Sequence, residues 1–282
     1  MIIKESAPAK ANLYLDVTGR RADGYHGIES VMVTLPLCDT VTVEASDGIT
    51  LFVTGNVTPD VASLPPEENL AYRAAKLFFD KSGIEGGAKI TLEKKIPSRY
   101  GLGGGSADAA ATLRALNKLY GSPFTTEELT KISLALGADV PFCVAGGAAL
   151  CRGIGEEITP IENKIELHGV VTAEEAEKRS TADAYLAVDR AMCSVCKRGD
   201  AVRAAVALEN GDFDGLCLAA WNVFGEAGLY PEDVRELLKS SGAPFVLMSG
   251  AGPSVVALTR TYDGAKRLEA ALVSRGLFAY AF

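Results

Sequence analysis

Three features of this sequence predict a two-domain α+β protein. Its 282 residues make about two domains at roughly 150 residues each. Its first half carries the period-2 alternation of strands, and its second half alternates helical with strand-like segments. Within the first half, a glycine-rich loop joins a strand directly to an alanine-rich helix. A polar, glycine-bearing stretch at 152–163 sets the expected boundary, giving domains 1–157 and 158–282.

Taken in order, Ala11, Leu13, Leu15 and Val17 alternate with Asn12, Tyr14, Asp16 and Thr18 and predict a strand. Val41 and Val43, then Ser46-Asp47-Gly48, then Ile49, Leu51 and Val53 read as a hairpin. Pro65-Pro66 opens a helix with Leu70, Ala74, Leu77 and Phe78 on one face, stopped at Gly83. Ile90 and Leu92 mark a strand ending at Pro97. The helix after the glycine loop runs to about Tyr120, and Gly121 and Pro123 stop it. Thr125 and Glu128 form a capping box for a helix with Leu129, Ile132 and Leu136 on its apolar face. The apolar run from Val140 to Cys151, interrupted by glycines, reads as two short strands. Helices follow near 182–192, 200–210, 231–241 and 263–275, and strands at 244–249, 254–259 and 277–281.

Composition narrows the function. Lys and Arg total 28 against 36 Asp and Glu, a net charge of −8, which argues against nucleic acid as partner. The longest uncharged run, Ser240 to Thr259, is broken by Gly242, Pro244, Gly250, Gly252 and Pro253, so no membrane span is expected. The opening MIIKESAPAKANLYL has charges where a signal peptide needs an apolar run. Six scattered cysteines do not make a disulfide scaffold. Cys193 and Cys196 form a C-x-x-C with no second pair at metal spacing, so no structural metal site is expected. Reduced thiols in a cytoplasmic protein are the reading.

The segment from Pro97 to Ala111 carries the strongest chemistry. Gly101, Gly103, Gly104 and Gly105 let the backbone approach a ligand closely. The helix behind them adds unpaired N–H groups and its positive dipole end. Such a cradle suits a polyphosphate, unless it is only a tight strand-to-helix turn. Ser106 can cap the helix, hold a phosphate oxygen or reach a metal ion. No Gly-Lys pair exists, which excludes a Walker A loop. Ser106 stands where a dinucleotide fingerprint needs glycine.

Three further positions can carry chemistry. Lys10 opens the first strand, where an isolated lysine is ordinarily a solvated charge. Arg21, Asp23 and Gly24 form a turn, and Tyr25-His26 behind it offers a ring face and a hydrogen-bonding imidazole to a planar base. Asp139 lies between a helix end and Pro141, which restrains Val140 to extended geometry. Asp139 can cap a turn or accept a proton from a substrate hydroxyl.

P-A-K-A-N-L, G-R-R-A-D-G-Y-H, P-x-x-x-G-L-G-G-G-S-A-D-A-A and L-G-A-D-V-P-F together resemble the GHMP superfamily of small-molecule kinases, which includes galactokinase, homoserine kinase, mevalonate kinase and phosphomevalonate kinase. The Asp-Gly-Tyr-His block resembles the branch acting on a cytidine-diphosphate-linked methylerythritol. The resemblance implies an ATP-dependent kinase of the non-mevalonate isoprenoid pathway that phosphorylates the 2-hydroxyl of that polyol. Other outcomes are a sister kinase for another alcohol, or a nucleotide-binding sensor without turnover. By resemblance, Lys10 and Asp139 are the catalytic pair. ATP is held by Pro97, Gly101, Leu102, Gly103, Gly104, Gly105, Ser106 and Ala107, with Mg²⁺ as the expected ion and Asn69 and Lys94 near the adenine. Asp108 caps the helix or faces the metal-bound side. His26 matches the cytosine-recognition position, Tyr25 and Tyr185 an aromatic sandwich, and Asn12 and Thr181 substrate contacts. The turn Ser249–Ser254 lines the substrate side. The implied fold pairs an N-terminal domain of the ribosomal-protein-S5-domain-2-like type, with helices on a mixed sheet, with a C-terminal ferredoxin-like α+β domain, and places the active site in the cleft between them. Small molecules are the implied partners of a monomer or homodimer.

Overall fold

The computed structural model describes residues 1–58, 63–98, 100–173, 180–191 and 199–282. Arg99 and the pair Cys193 and Cys196 lie outside the described residues. The chain divides into two compact units. One comprises Met1–Lys10, Thr34–Arg99 and Gly103–Gly146, and the other Ala11–Val33, Tyr100–Leu102 and Gly147–Phe282. Strands β1 (Ile2–Arg20) and β2 (His26–Ser46) contribute residues to each. Both are longer than the alternation predicts. From Ala7 to Val17 almost every residue of β1 is buried, Asn12 and Tyr14 included, so the polar positions there do not face water.

In the first unit β3 (Thr50–Gly55) and β4 (Gly87–Lys94) complete the order β3-β4-β2-β1. The expected hairpin between Val41 and Val53 does not form. Instead β4 inserts between β2 and β3, antiparallel to β2 (Val43 opposite Ile90) and parallel to β3 (Leu51 opposite Ile90). The turn crosses close over Gly87, where a Cβ would lie 2.4 Å from the backbone of Gly48. The parallel pair then needs a helical crossover, which α1 (Leu70–Ser82) supplies. It starts later than the proline pair suggests, because Pro66–Glu68 forms a separate 3₁₀ turn and Asn69 is extended. Asn69 caps α1 by accepting from the Ala71 N–H at 2.9 Å, and Gly83 ends it with φ 67°.

Helix α2 (Gly104–Leu119) buries every position from Ala107 to Asn117 except Arg114. Helix α3 (Thr126–Ser133) has the reciprocal Thr125–Glu128 capping box that its sequence predicts. The run from Val140 departs from expectation. It forms a short helix, α4 (Val140–Ala145), before β5 (Ala148–Arg152). Pro141 sits in the first helical turn, where a missing N–H costs nothing, and so Val140 is helical rather than extended. Arg114 of α2 ties two elements together. Its Nη1 donates to the Cys143 carbonyl of α4 at 2.7 Å and its Nη2 to the Ser6 carbonyl of β1 at 2.8 Å, with Glu5 at 3.4 Å from Nε.

In the second unit, β5 pairs with the first half of β2 and with β6 (Glu157–Ile161), which lies inside the stretch 152–163 expected to hold the domain boundary. β7 (His168–Ala173) begins a second sheet. α5 (Thr181–Ala191), α6 (Ala201–Asn210), α7 (Phe213–Ala219) and the two-residue β8 (Trp221–Asn222) follow, β8 pairing parallel with β1 at Tyr14 and Leu15. α8 (Glu232–Ser240), β9 (Phe245–Met248), β10 (Val255–Thr259), α9 (Tyr262–Val273) and β11 (Phe278–Ala281) complete the chain. The second sheet has the order β11-β7-β10-β9, all antiparallel, which is the ferredoxin-like arrangement. Val234, Leu237 and Leu238 of α8 and Leu268 and Leu272 of α9 pack on Val170, Val255 and Ala257. Among the described residues no helix is long and apolar enough to cross a membrane.

Charge-assisted hydrogen bonds contribute about 1.5–3 kcal/mol each, so Arg114→Met is expected to lower the unfolding free energy by about 3 kcal/mol, read as a lower urea midpoint at unchanged slope.

Candidate active site

The glycine loop leaves β4 at Lys94 and enters α2 at Gly104. Gly103, with φ 69°, is the residue before the first helical turn, and no side chain caps that turn. By helix geometry the N–H groups of Gly104, Gly105 and Ser106 have no acceptor within the helix. Gly105 is exposed and Ser106 half-buried, so this turn opens to solvent. Leu102 and Ala107, both 1 % exposed, anchor the loop in the core. Pro97 precedes the turn, and Gly101 takes φ 77° where a Cβ would lie 2.9 Å from the Gly252 carbonyl oxygen.

Lys10 and Asp139, 129 positions apart, meet. Lys10 Nζ lies 3.4 Å from Asp139 Oδ2, with the lysine side chain 5 % exposed and the aspartate 36 %. Asp139 precedes α4 but makes no side-chain cap, so its carboxylate is not committed to the helix. The stem of Lys10 passes Gly103 so closely that a Cβ there would lie 2.8 Å from Lys10 Cγ. A buried cation and a half-exposed carboxylate thus stand beside the mouth of α2.

Lys94 does not reach outward. Its ammonium, 6 % exposed, donates to Asp39 Oδ2 and, at 2.6 Å, to Asp108 Oδ2. Burial alone would lower the Lys94 pKa, but Asp108 and Asp39 outweigh it and hold it above the usual value. Burial pushes the Asp108 carboxyl up to about 8, with the charge of Asp39 adding to the effect and Lys94 opposing it. Asp108 lies past the first turn of α2 and is 3 % exposed, so it neither caps that helix nor faces outward. Asp39, fully buried on β2, belongs to no motif that the sequence singles out; its one signal is a lone Asp inside an apolar strand. Asn69 spends its side-chain oxygen on the cap of α1.

The second unit gathers the other positions. Asn12, 1 % exposed, donates from Nδ2 to Ser30 Oγ at 2.8 Å, and its N–H donates to Ser249 Oγ at 3.2 Å. Asn222 holds the Ser249–Ser254 turn by donating to the Met248 and Gly250 carbonyls at 2.7 and 2.9 Å. It too has no mark in the sequence. His26 stacks on Tyr185 with centroids 4.6 Å apart, its Nε2 is 2.9 Å from Asp189 Oδ1, and Tyr185 rests edge-on against Phe224. Tyr25 is 62 % exposed at the turn that Arg21 and Asp23 close. Thr181 is exposed at the start of α5. Among the described residues no three His, Cys, Asp or Glu side chains cluster as a metal site.

The family described as "GHMP kinases N terminal domain" matches residues 69–147, and "GHMP kinases C terminal" matches 195–276. The chain is 40% identical over 275 residues to a protein of Exiguobacterium sibiricum named 4-diphosphocytidyl-2-C-methyl-D-erythritol kinase, covering 95% of this chain and 93% of that one. A Bacillus cereus protein of the same name is 40% identical over 276 residues, covering 92% and 91%. Among solved structures, a crystal structure of 4-(cytidine 5'-diphospho)-2C-methyl-D-erythritol kinase superposes with TM-score 0.80 at 34% identity over 99% of this chain and 98% of that chain. A mevalonate kinase of L. major shares the fold at TM-score 0.78 and 17% identity, over 99% and 95% of the two chains.

The raised carboxyl of Asp108 has a thermodynamic signature. A folded-state pKa above the unfolded one makes the native state bind the proton more tightly, so stability is full below the unfolded value and declines as pH rises towards the folded one. The melting temperature of the wild type is therefore expected to fall relative to Asp108→Asn as pH climbs from about 4 to about 8, measured by thermal scans of both proteins across that range.

Proposed function

This chain belongs to the GHMP kinases, in the family of 4-diphosphocytidyl-2-C-methyl-D-erythritol kinases, and from that premise we propose how its residues carry out ATP-dependent phosphorylation of the polyol's 2-hydroxyl. The observation that carries the reading is the Lys10–Asp139 pair beside Gly103. Asp139 accepts the proton of the 2-hydroxyl. The freed oxygen bonds to the γ-phosphorus of ATP as the bond to the β,γ-bridging oxygen breaks, and ADP leaves. Lys10, with its Nζ 3.4 Å from Asp139 Oδ2, faces the charge that spreads over the transferring phosphoryl group. The N–H groups of Gly104, Gly105 and Ser106 hold the phosphates, and the absence of side chains at the two glycines lets them approach.

A Mg²⁺ ion bound along with the nucleotide would offset the charge of its phosphates. The hard hydroxyl oxygen of Ser106 fits such an ion as one protein ligand. On the acceptor side, His26, Tyr25 and Tyr185 take the cytosine, and Asn12, Thr181 and the Ser249–Ser254 turn take the polyol phosphate chain. The aromatic stack of His26, Tyr185 and Phe224 supports this assignment by giving a flat base a rigid ring to lie against. We assign ATP binding to a domain within residues 1–157 and the second kinase domain to 158–282, a linear division that the interleaved units of the fold cross at Ala11–Val33 and Gly147–Glu157. The enzyme works in the cytoplasm as a monomer or homodimer, with no nucleic-acid or membrane partner.

Two experiments test these roles. ATP consumption is measured with the cytidyl polyol, mevalonate and homoserine in turn; turnover is expected with the first alone. Lys10→Ala and Asp139→Asn are each expected to cut kcat with that substrate by about 10²–10⁴ while the fold persists, and a variant near the full rate would remove its residue from the mechanism.

A third test separates phosphate binding from folding. Gly105→Asp places a carboxylate in the first turn of α2, which the helix dipole favours and a polyphosphate repels. The variant is expected to melt no lower than the wild type yet to show an ATP KM at least about tenfold higher.

A further inference from the structure

We propose that Asp39 is a positioning residue for ATP: with Lys94 and Asp108 it pins the two ends of the glycine loop, so that the N–H groups at the start of α2 are set in place before nucleotide arrives. The proposal rests on the reading of that turn as the phosphate site.

The strand end is pinned first. Asp39 Oδ1 accepts from the N–H of Lys95 at 2.5 Å and of Ile96 at 2.8 Å, the last residues before Pro97. Its Oδ2 accepts from Lys94 Nζ. The helix end is pinned through the same ammonium, which donates to Asp108 Oδ2 at 2.6 Å. Gly104 lies directly on this cluster; a Cβ there would meet Ile96 Cγ2 at 3.2 Å and Lys94 Nζ at 3.5 Å. One buried carboxylate on β2 thus ties the loop's entry to its exit.

Charge counting favours a role beyond packing. Two buried carboxyls share one cation, and burial holds Asp108 towards its neutral form, a buried polar group that is costly without full pairing. Asp39 has three donors. Asp108 has Lys94 on one oxygen, and its Oδ1 has no hydrogen-bond partner among the described residues. A cluster with an unpaired buried oxygen stabilises a fold less than apolar side chains of the same volume would. What it supplies is direction, since each bond fixes a particular backbone group. A pre-set anion cradle binds ATP without a fresh ordering cost.

The test is steady-state kinetics on the full chain, varying ATP and the alcohol separately, with circular dichroism as a check of folding. Asp39→Asn weakens the acceptor for Lys95, Ile96 and Lys94; Asp108→Ala cuts the helix-side link. Each is expected to raise the ATP KM at least about fivefold, with kcat within about threefold and the alcohol KM within about twofold. Asp108→Asn, which keeps an oxygen for Lys94, is expected to recover part of the loss seen with Asp108→Ala. A folded Asp39→Asn with wild-type ATP KM would overturn the proposal, as would losses that lower kcat and raise both KM values alike, the mark of general destabilisation. If Asp39→Asn does not fold, Asp108→Ala and its asparagine counterpart decide by the same criteria. Gly105→Asp in the same series separates the two readings: if it raises the ATP KM and the Asp39 and Asp108 variants do not, the loop binds phosphate and the pin is idle. If none of them does, the phosphate reading itself fails.

Discussion

The absence of a side chain at Gly103 is the constraint on which the site depends. The backbone there turns left-handed to launch α2, and the stem of Lys10 fills the space where any Cβ would stand. Two requirements meet at one residue. An anion cradle needs a helix that begins abruptly, with its first N–H groups uncapped. The proton-transfer pair proposed for the site needs a lysine that reaches Asp139 without leaving the protein interior. Glycine satisfies both, and an alanine would strain the backbone and displace the lysine together.

Much of the arrangement is legible in the order of residues alone. The glycine loop, the capping box at Thr125 and Glu128, the stop at Gly83 and the four helices and three strands expected after residue 180 each follow from local chemistry, whereas β6, β7, α7 and β8 match no expectation. What local chemistry misses is non-local. A hairpin between Val41 and Val53 is a fair inference from alternation and a turn, but alternation says nothing of which strand lies alongside. The partner is β4, more than thirty residues on, delivered by a crossover helix. Val140–Ala145 reads as a strand because a short apolar run has no period long enough to tell helix from strand. Its proline, an extended-chain signal by itself, sits where a helix accepts one.

The site divides along the same line. The resemblance nominates Lys10 and Asp139, but only the folded chain brings them to 3.4 Å. Lys94 shows the opposite case. The resemblance nominates it for the adenine, and the fold gives its charge to two buried carboxyls. Asp189 and Asn222 carry no local signature, and Asp39 only that of a lone aspartate inside an apolar strand. Each acts on a backbone group or ring far away in sequence, and a single chain without relatives aligned beside it offers no pattern that marks such partners.

The chain has a single tryptophan, and its position is useful. Trp221 is 4 % exposed in β8, beside Tyr14 of β1 and next to Asn222, the residue whose amide grips the turn after β9. Its indole emission therefore comes from one known place, the seam where the first strand meets that grip. Any rearrangement of the turn can be followed there by light alone, with no dye and no engineered label.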